Sequence, residues 1–140
     1  MAVEWIESSM GTGIDSVDEQ HQQLIGKLNR LAAALRSGKE REEIGKMLEF
    51  LGNYTVEHFE HEEKCMDVYG CAAAARNKKE HAKFLALFAA LKEDFESSGP
   101  SKALALEIEA KLMAWLVFHI KGTDRQLYGY TRAMGELDIT

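Results

Sequence analysis

The stretch His58-Phe59-Glu60-His61-Glu62 follows a run of apolar residues spaced by three and four positions. That spacing is typical of the buried face of one long helix, and it places His58 and Glu62 on that face. A carboxylate in a protein core is costly unless a cation, a metal ion or several hydrogen bonds compensate its charge. This pair alone favours a Glu62 that lies at the edge of the face and contacts His58 along the helix surface.

The composition indicates one helical domain. The chain has 140 residues, of which 46% are hydrophobic, and that is enough to bury a core. Its single proline, Pro100, permits long helices over most of the sequence, and strand patterns are nearly absent. The formal charge is -6 and no basic run is present, which argues against nucleic acid or an anionic membrane surface as a partner.

The sequence predicts a cytoplasmic protein without a membrane span. Residues 1–13 lack the charged and apolar regions of a secretory signal. The longest apolar run, residues 112–120, is interrupted by His119 and is about half the length needed to cross a bilayer. Cys65 and Cys71 have no second pair, so we expect reduced thiols and neither a disulfide nor a structural zinc site.

Helical periodicity predicts an all-α fold, an up-down-up-down antiparallel four-helix bundle with an N-terminal arm and a short C-terminal helix. Ser16 and Glu19 have the spacing of a capping box at the start of the first long helix, and Ser101 is predicted to cap the fourth. Within one domain over residues 1–140, the expected helices cover residues 17–36, 40–69, 73–97, 101–120 and 124–134.

Each of the four apolar helix faces carries one histidine. These are His21, His58, His81 and His119. A single buried histidine is usually a structural residue, but four on facing helices predict a metal site in the bundle core. A cation at that place would also compensate the charge of Glu62.

Asp124 is a second carboxylate that could join this site if the helix is interrupted after His119. It follows His119 by five residues, which on a regular helix leaves the two side chains about 140° apart. Gly122 lies between them, so a widened turn or a helix end there could return Asp124 to the core. Under that condition Asp124 joins the same site.

Ligand type narrows the choice of metal. Imidazoles with a few carboxylates suit iron, zinc, copper or nickel, and two carboxylates among several histidines suggest more than one ion. The His-Glu-x-x-His motif of zinc proteases is absent, and so is the Glu-x-x-His pair of ferritin-like bundles. The site is therefore expected to be rich in histidine.

In order and spacing, these residues resemble the haemerythrin family in its bacterial single-domain form. The similarity covers nearly the whole chain and includes flanking residues such as Gln20, Glu63, Glu80 and Trp115. It implies two non-haem iron ions joined by an oxo or hydroxo bridge and by Glu62 and Asp124. In full, the resemblance implies six ligands: His21, His58, Glu62, His81, His119 and Asp124.

The resemblance further implies that the two ions have different tasks. His21 and His58 would serve the iron that binds dioxygen, and His81 and His119 would serve the other iron. Leu116 and Ile120 would wall the dioxygen pocket, although plain core packing explains them equally well.

One position departs from the family pattern. The family has a histidine four residues before His81, and this chain has Asn77 there. Because an amide oxygen is a weaker ligand than imidazole, Asn77 is predicted to be a weak ligand or to leave the position to water, so that the second iron is under-ligated. His61 is expected on the flank of the site or supporting a ligand, and Trp115 in the core around the ligands.

Three functions follow from these residues. The leading hypothesis is a non-haem di-iron protein that binds dioxygen reversibly for storage, delivery or sensing. The alternative is a di-iron enzyme that acts on peroxide, dioxygen or nitric oxide through the iron beside Asn77. The third is a helical module whose core histidines are structural.

Overall fold

The computed structural model describes residues 2–137, which form helices and loops and contain no strand. The prediction of an all-α bundle is confirmed. The elements are α1 (Glu7–Met10), α2 (Asp15–Ser37), α3 (Glu40–Tyr69), α4 (Ala74–Ser98), α5 (Lys102–Gly122), a 3-10 turn (Asp124–Gln126) and α6 (Leu127–Met134).

The four long helices α2 to α5 form the bundle. Each packs against the next in the chain, and α2 also packs against α5, which closes the ring. The connections between them, residues 38–39, 70–73 and 99–101, are short, so consecutive helices run antiparallel. Every long helix therefore presents one face to a common interior.

Glycines end α2 and α3 sharply. Gly38 and Gly70 have φ values of 73° and 64°, in the left-handed region that favours glycine. Cys71 N–H then donates to the carbonyl oxygen of Met66 at 2.9 Å, which satisfies the end of α3 and turns the chain towards α4. The predicted cap of α5 is confirmed, since Ser101 Oγ accepts from Leu104 N–H at 3.0 Å.

The predicted capping box at Ser16 is wrong. Helix α2 begins at Asp15 without a side-chain cap, and Ser16 lies inside its first turn. The Asp18 carboxylate turns back to the arm, where it accepts from Thr12 N–H and from Thr12 Oγ1, both at 2.8 Å. The acidic first turn thus anchors the N-terminal arm, because the arm passes over the start of α2.

The interior has a large and a small apolar cluster. Along α3, Leu51 and Phe59 belong to the large cluster, whereas Cys65 and Met66 belong to the small one. His58 and Glu62 are interleaved where one cluster gives way to the other. Both cysteines are free and buried, as predicted. In the part of the chain that is described, no helix is long and apolar enough to span a membrane.

Ile108, a fully buried residue of α5, gives a test of this packing. We expect Ile108→Ala to lower the free energy of unfolding by about 2–5 kcal/mol, because it leaves a cavity that the helices cannot fill. Leu106 lies on the same helix but is 48% exposed, so Leu106→Ala should change it by no more than about 0.5 kcal/mol. Urea denaturation of both variants measures the difference, and equal losses would contradict the assigned faces.

Candidate metal centre

All the predicted ligand side chains meet inside the bundle, and each is at most 2% exposed. Helix α2 supplies His21, α3 supplies His58 and Glu62, α4 supplies Asn77 and His81, and α5 supplies His119, while Asp124 comes from the 3-10 turn. The ring Nε2 atoms of all four histidines point towards the two carboxylates. The side chains divide into two clusters.

The first cluster contains His21, His58 and one oxygen of each carboxylate. His21 Nε2 lies 2.8 Å from Glu62 Oε2 and 3.0 Å from Asp124 Oδ2. His58 Nε2 lies 3.1 Å from the same Glu62 oxygen. Asp124 Oδ2 is buried, and His21 Nε2 is the polar atom that approaches it.

The second cluster contains His81, His119 and the other oxygen of each carboxylate. Glu62 Oε1 lies 2.8 Å from His81 Nε2 and 3.2 Å from His119 Nε2. Asp124 Oδ1 lies 3.0 Å from His119 Nε2, and the two ring nitrogens are 3.1 Å apart. Each carboxylate therefore gives one oxygen to each cluster.

Asp124 reaches the core through the end of a helix, which is one of the two routes predicted. Gly122 ends α5 with ordinary helical geometry and without a positive φ. The change of direction falls at Thr123, after which the chain tightens into the 3-10 turn that carries Asp124 inward. The end of the helix, and not a glycine inside it, overcomes the angular separation from His119.

The outer nitrogens of three rings are held by acceptors that the sequence did not identify as functional. These bonds are His58 Nδ1 to Gln20 Oε1 at 2.7 Å, His81 Nδ1 to Glu63 Oε2 at 2.9 Å and His119 Nδ1 to Glu80 Oε1 at 2.6 Å. An acceptor at Nδ1 keeps the proton there and leaves the Nε2 lone pair facing the cluster, as in metal sites. Each acceptor is adjacent in sequence to a predicted ligand, which was the available signal.

Glu80 is itself fixed by further contacts. Its Oε1 accepts from Thr123 Oγ1 at 2.7 Å, and its Oε2 accepts from Arg76 Nε at 2.8 Å. Burial alone would raise its pKa, but the hydrogen bonds from Thr123, Arg76 and His119 lower it below the usual glutamate value. Glu80 is therefore an anion that orients His119.

Aromatic rings pack against the second cluster. Phe59 stacks on His81 with 3.8 Å between ring centroids, and Trp115 stacks on His119 at 4.5 Å. Phe59 was not singled out from the sequence. His61 lies to one side, where its Nε2 is 2.8 Å from Ser16 Oγ and 3.7 Å from Cys65 Sγ.

Leu116 and Ile120 have different surroundings. Leu116 lines a narrow apolar cavity of about 10 Å³ together with Trp115, Phe59 and other core side chains. Ile120 is fully buried in the large apolar cluster and does not line this cavity. The walls include Thr55, whose hydroxyl donates to the backbone carbonyl oxygen of Leu51.

The clusters are charged without any metal. Burial opposes protonation of His21, but hydrogen bonds and charge from Asp124 and Glu62 raise its pKa to about 9. The same carboxylates raise the pKa of His119 to about 11 against the effect of burial. Burial lowers the pKa of His58. Burial would raise the pKa of Glu62, but its contacts with the imidazoles hold it well below the usual range.

The donor atoms fit metal ions. Bonds of about 2.1 Å place neighbouring ligand atoms of an octahedral ion about 3.0 Å apart, which is the spacing inside both clusters. Two triads could each hold an ion, His21 with His58 and Glu62, and Glu62 with His81 and His119. Asp124 Oδ2 also faces the first triad, at 3.0 Å from His21 Nε2. Fold and site together define a helical-bundle protein with a histidine- and carboxylate-rich metal centre.

Comparison with known proteins places the chain in a family. Residues 12–131 match the model described as "Hemerythrin HHE cation binding domain". The chain belongs to the haemerythrin family and is a non-haem iron-binding protein of the oxygen-carrier type.

Individual relatives agree with this assignment. A bacteriohemerythrin of Methylococcus capsulatus is 34% identical over 125 residues, which is 89% of this chain and 92% of the relative. One of Stenotrophomonas maltophilia is 30% identical over 85% of this chain and 75% of its own. A crystal structure of wild-type hemerythrin superposes with a TM-score of 0.78 at 31% identity, covering 97% of this chain and all of the other.

The raised histidine pKa values give a pH prediction for the ion-free protein. Protonated His21 and His119 stabilise the fold fully below pH 6.5, and that contribution is lost as pH rises through their folded pKa values of about 9 and about 11. The unfolding free energy of chelator-treated protein should therefore fall between pH 6.5 and 9. Metal affinity should rise over the same interval because protons leave as the ion binds. Urea unfolding and metal titration at several pH values measure both, and a flat stability profile would contradict protonation of these rings.

Proposed function

We propose that the chain holds two iron ions, one in each cluster, and binds dioxygen reversibly for storage, delivery or sensing. The observation that supports this proposal is that Glu62 and Asp124 each direct one carboxylate oxygen to the first cluster and the other oxygen to the second. A carboxylate that serves a single ion has no need to present its two oxygens to opposite sets of imidazoles. The family assignment favours iron in both positions.

Six side chains would hold the ions in this arrangement. His21 and His58 would bind one iron, His81 and His119 would bind the other, and Glu62 and Asp124 would bridge them, together with an oxo or hydroxo group. When bound, the irons supply the electrons and the vacant position that dioxygen binding requires. The first cluster offers fewer protein atoms than the second, in which the Asn77 amide is a fifth, so dioxygen is assigned to the iron at His21 and His58.

The protein's own contribution would be an apolar enclosure. The apolar cavity at Leu116, and the rings of Phe59 and Trp115 stacked on His81 and His119, would limit the access of water to the centre. Exclusion of water and protons opposes loss of a bound oxygen molecule as a reduced product. Ile120 contributes to the apolar core around the site and is not required as a pocket wall.

The enzymatic alternative required a vacant position beside His81. Asn77 is fully buried and its amide points into the second cluster, which supports a protein group, and not water, at that position. We therefore propose that the protein carries dioxygen. Turnover of peroxide, dioxygen or nitric oxide should be measured as a control for the enzymatic alternative.

Glu62→Gln tests the two-iron centre. Removing the bridging charge should reduce iron from about two ions per chain to one or fewer, and the air-dependent visible absorption should be lost. Glu60→Gln is the matched control, because Glu60 is exposed on the same helix. Iron analysis and spectra recorded in nitrogen, air and nitrogen again measure both effects. Unchanged iron content in the Glu62 variant would overturn the bridging role, and an irreversible spectrum would favour the enzyme.

Removal of iron should lower the melting temperature. The ions would occupy a site present only in the folded chain, so their binding free energy adds to stability. Ligand at 100 times its dissociation constant stabilises by about 2.7 kcal/mol, enough to move the melting temperature by several degrees. Calorimetry of holo and chelated protein tests this, with zinc reconstitution as a comparison. Coincident melting curves would contradict the metal site.

A further inference from the structure

The Asn77 side chain is aimed at the centre of the second cluster. The inner end of its amide lies 2.9 Å from Glu62 Oε1, 3.0 Å from His81 Nε2, 3.1 Å from His119 Nε2 and 3.3 Å from Asp124 Oδ1, and without an ion the hydrogen-bond partners place the amide nitrogen there. The side chain is fully buried. Helix α4 holds it in place, since Asn77 and His81 are one turn apart and project from the same face.

Without an ion, the amide nitrogen is the end that can bond to these neighbours. It can donate to only two of the four atoms, because an NH₂ group has two hydrogens. With the oxygen inward and no cation, the amide oxygen and the Glu62 carboxylate would repel each other at 2.9 Å. One cation among the five atoms contacts all of them at once, and the spacings are those of neighbouring ligands on one ion.

We propose that Asn77 is a ligand through its amide oxygen, and that it makes the second cluster admit Mn²⁺ in competition with Fe²⁺. This inference rests on the proposed two-ion centre. The cluster then offers three oxygens, from Glu62, Asp124 and Asn77, and two imidazole nitrogens. Carboxylate and carbonyl oxygens suit manganese, whereas imidazole favours iron, so exchanging a nitrogen for an oxygen narrows the preference for iron.

The surroundings of the two histidines support strong binding despite the missing imidazole. His81 and His119 are each hydrogen-bonded at Nδ1 to a carboxylate, from Glu63 and Glu80. In the first cluster His58 has only the neutral amide of Gln20, and His21 Nδ1 has no partner among the described residues. The added negative charge raises the basicity of both rings in the second cluster and strengthens the binding of a divalent cation there.

Three substitutions of Asn77 compare a nitrogen ligand, an oxygen ligand and no ligand at this position. Ion-free parent, Asn77→His, Asn77→Asp and Asn77→Ala would each be incubated without oxygen with equal concentrations of Fe²⁺ and Mn²⁺ in excess. After gel filtration, elemental analysis gives both metals per chain, and circular dichroism confirms folding.

The parent should hold both metals, and Asn77→Asp should keep or increase the manganese share. In Asn77→His the ratio of manganese to iron should fall roughly tenfold, because an imidazole replaces the oxygen. Asn77→Ala should lose close to one ion per chain. If the histidine variant does not fold, the contrast between the aspartate and alanine variants decides whether an oxygen at this position is required.

Two results would overturn the inference alone. One is the same metal ratio in the parent and in Asn77→His when both hold two ions, and the other is a full ion count in Asn77→Ala. A different result would overturn the proposed function as well. This result is that neither the parent nor any variant, including Asn77→His, retains more than one metal ion per chain in total.

Discussion

A buried carboxylate with an imidazole from every long helix around it is the constraint on which the rest of the bundle depends. Glu62 is fully inaccessible, and its two oxygens lie within 3.2 Å of rings on α2, α3, α4 and α5. Uncompensated, such a group would be expensive to bury. Moving any helix by one residue turns its histidine by about 100° and breaks the arrangement, so the polar cluster fixes the helix register that apolar packing alone leaves loose.

The outer hydrogen bonds explain why the rings face inward. Gln20, Glu63 and Glu80 each bind the ring of a histidine on another helix. The acceptor at Nδ1 keeps a proton on that nitrogen and fixes the rotation of the ring, so that Nε2 is the atom that faces the cluster. The side chains are therefore ordered when the chain folds, and the clusters are preformed.

Sequence periodicity could predict the helices and the faces that carry the histidines, because both depend on spacing along one chain segment. It could not predict that Asp18 binds Thr12 and that no capping box forms at Ser16. Both outcomes depend on where the N-terminal arm crosses α2. The acceptors at Nδ1 were missed for the same reason: Gln20 serves His58 and not its neighbour His21. The resemblance to the haemerythrin family identified Asn77 as a departure from the family pattern. Only the packing of α4 shows that its amide is directed at four ligand atoms.

The stacking of Trp115 on His119 has an optical consequence. The indole lies 4.5 Å from a ring of the second cluster at an angle of 14° between planes. The other tryptophan, Trp5, is on the N-terminal arm, where its indole nitrogen donates to Glu7. A transition ion held by His119 would lie close enough to quench the fluorescence of Trp115. The emission of Trp115 would then report whether the second cluster is occupied.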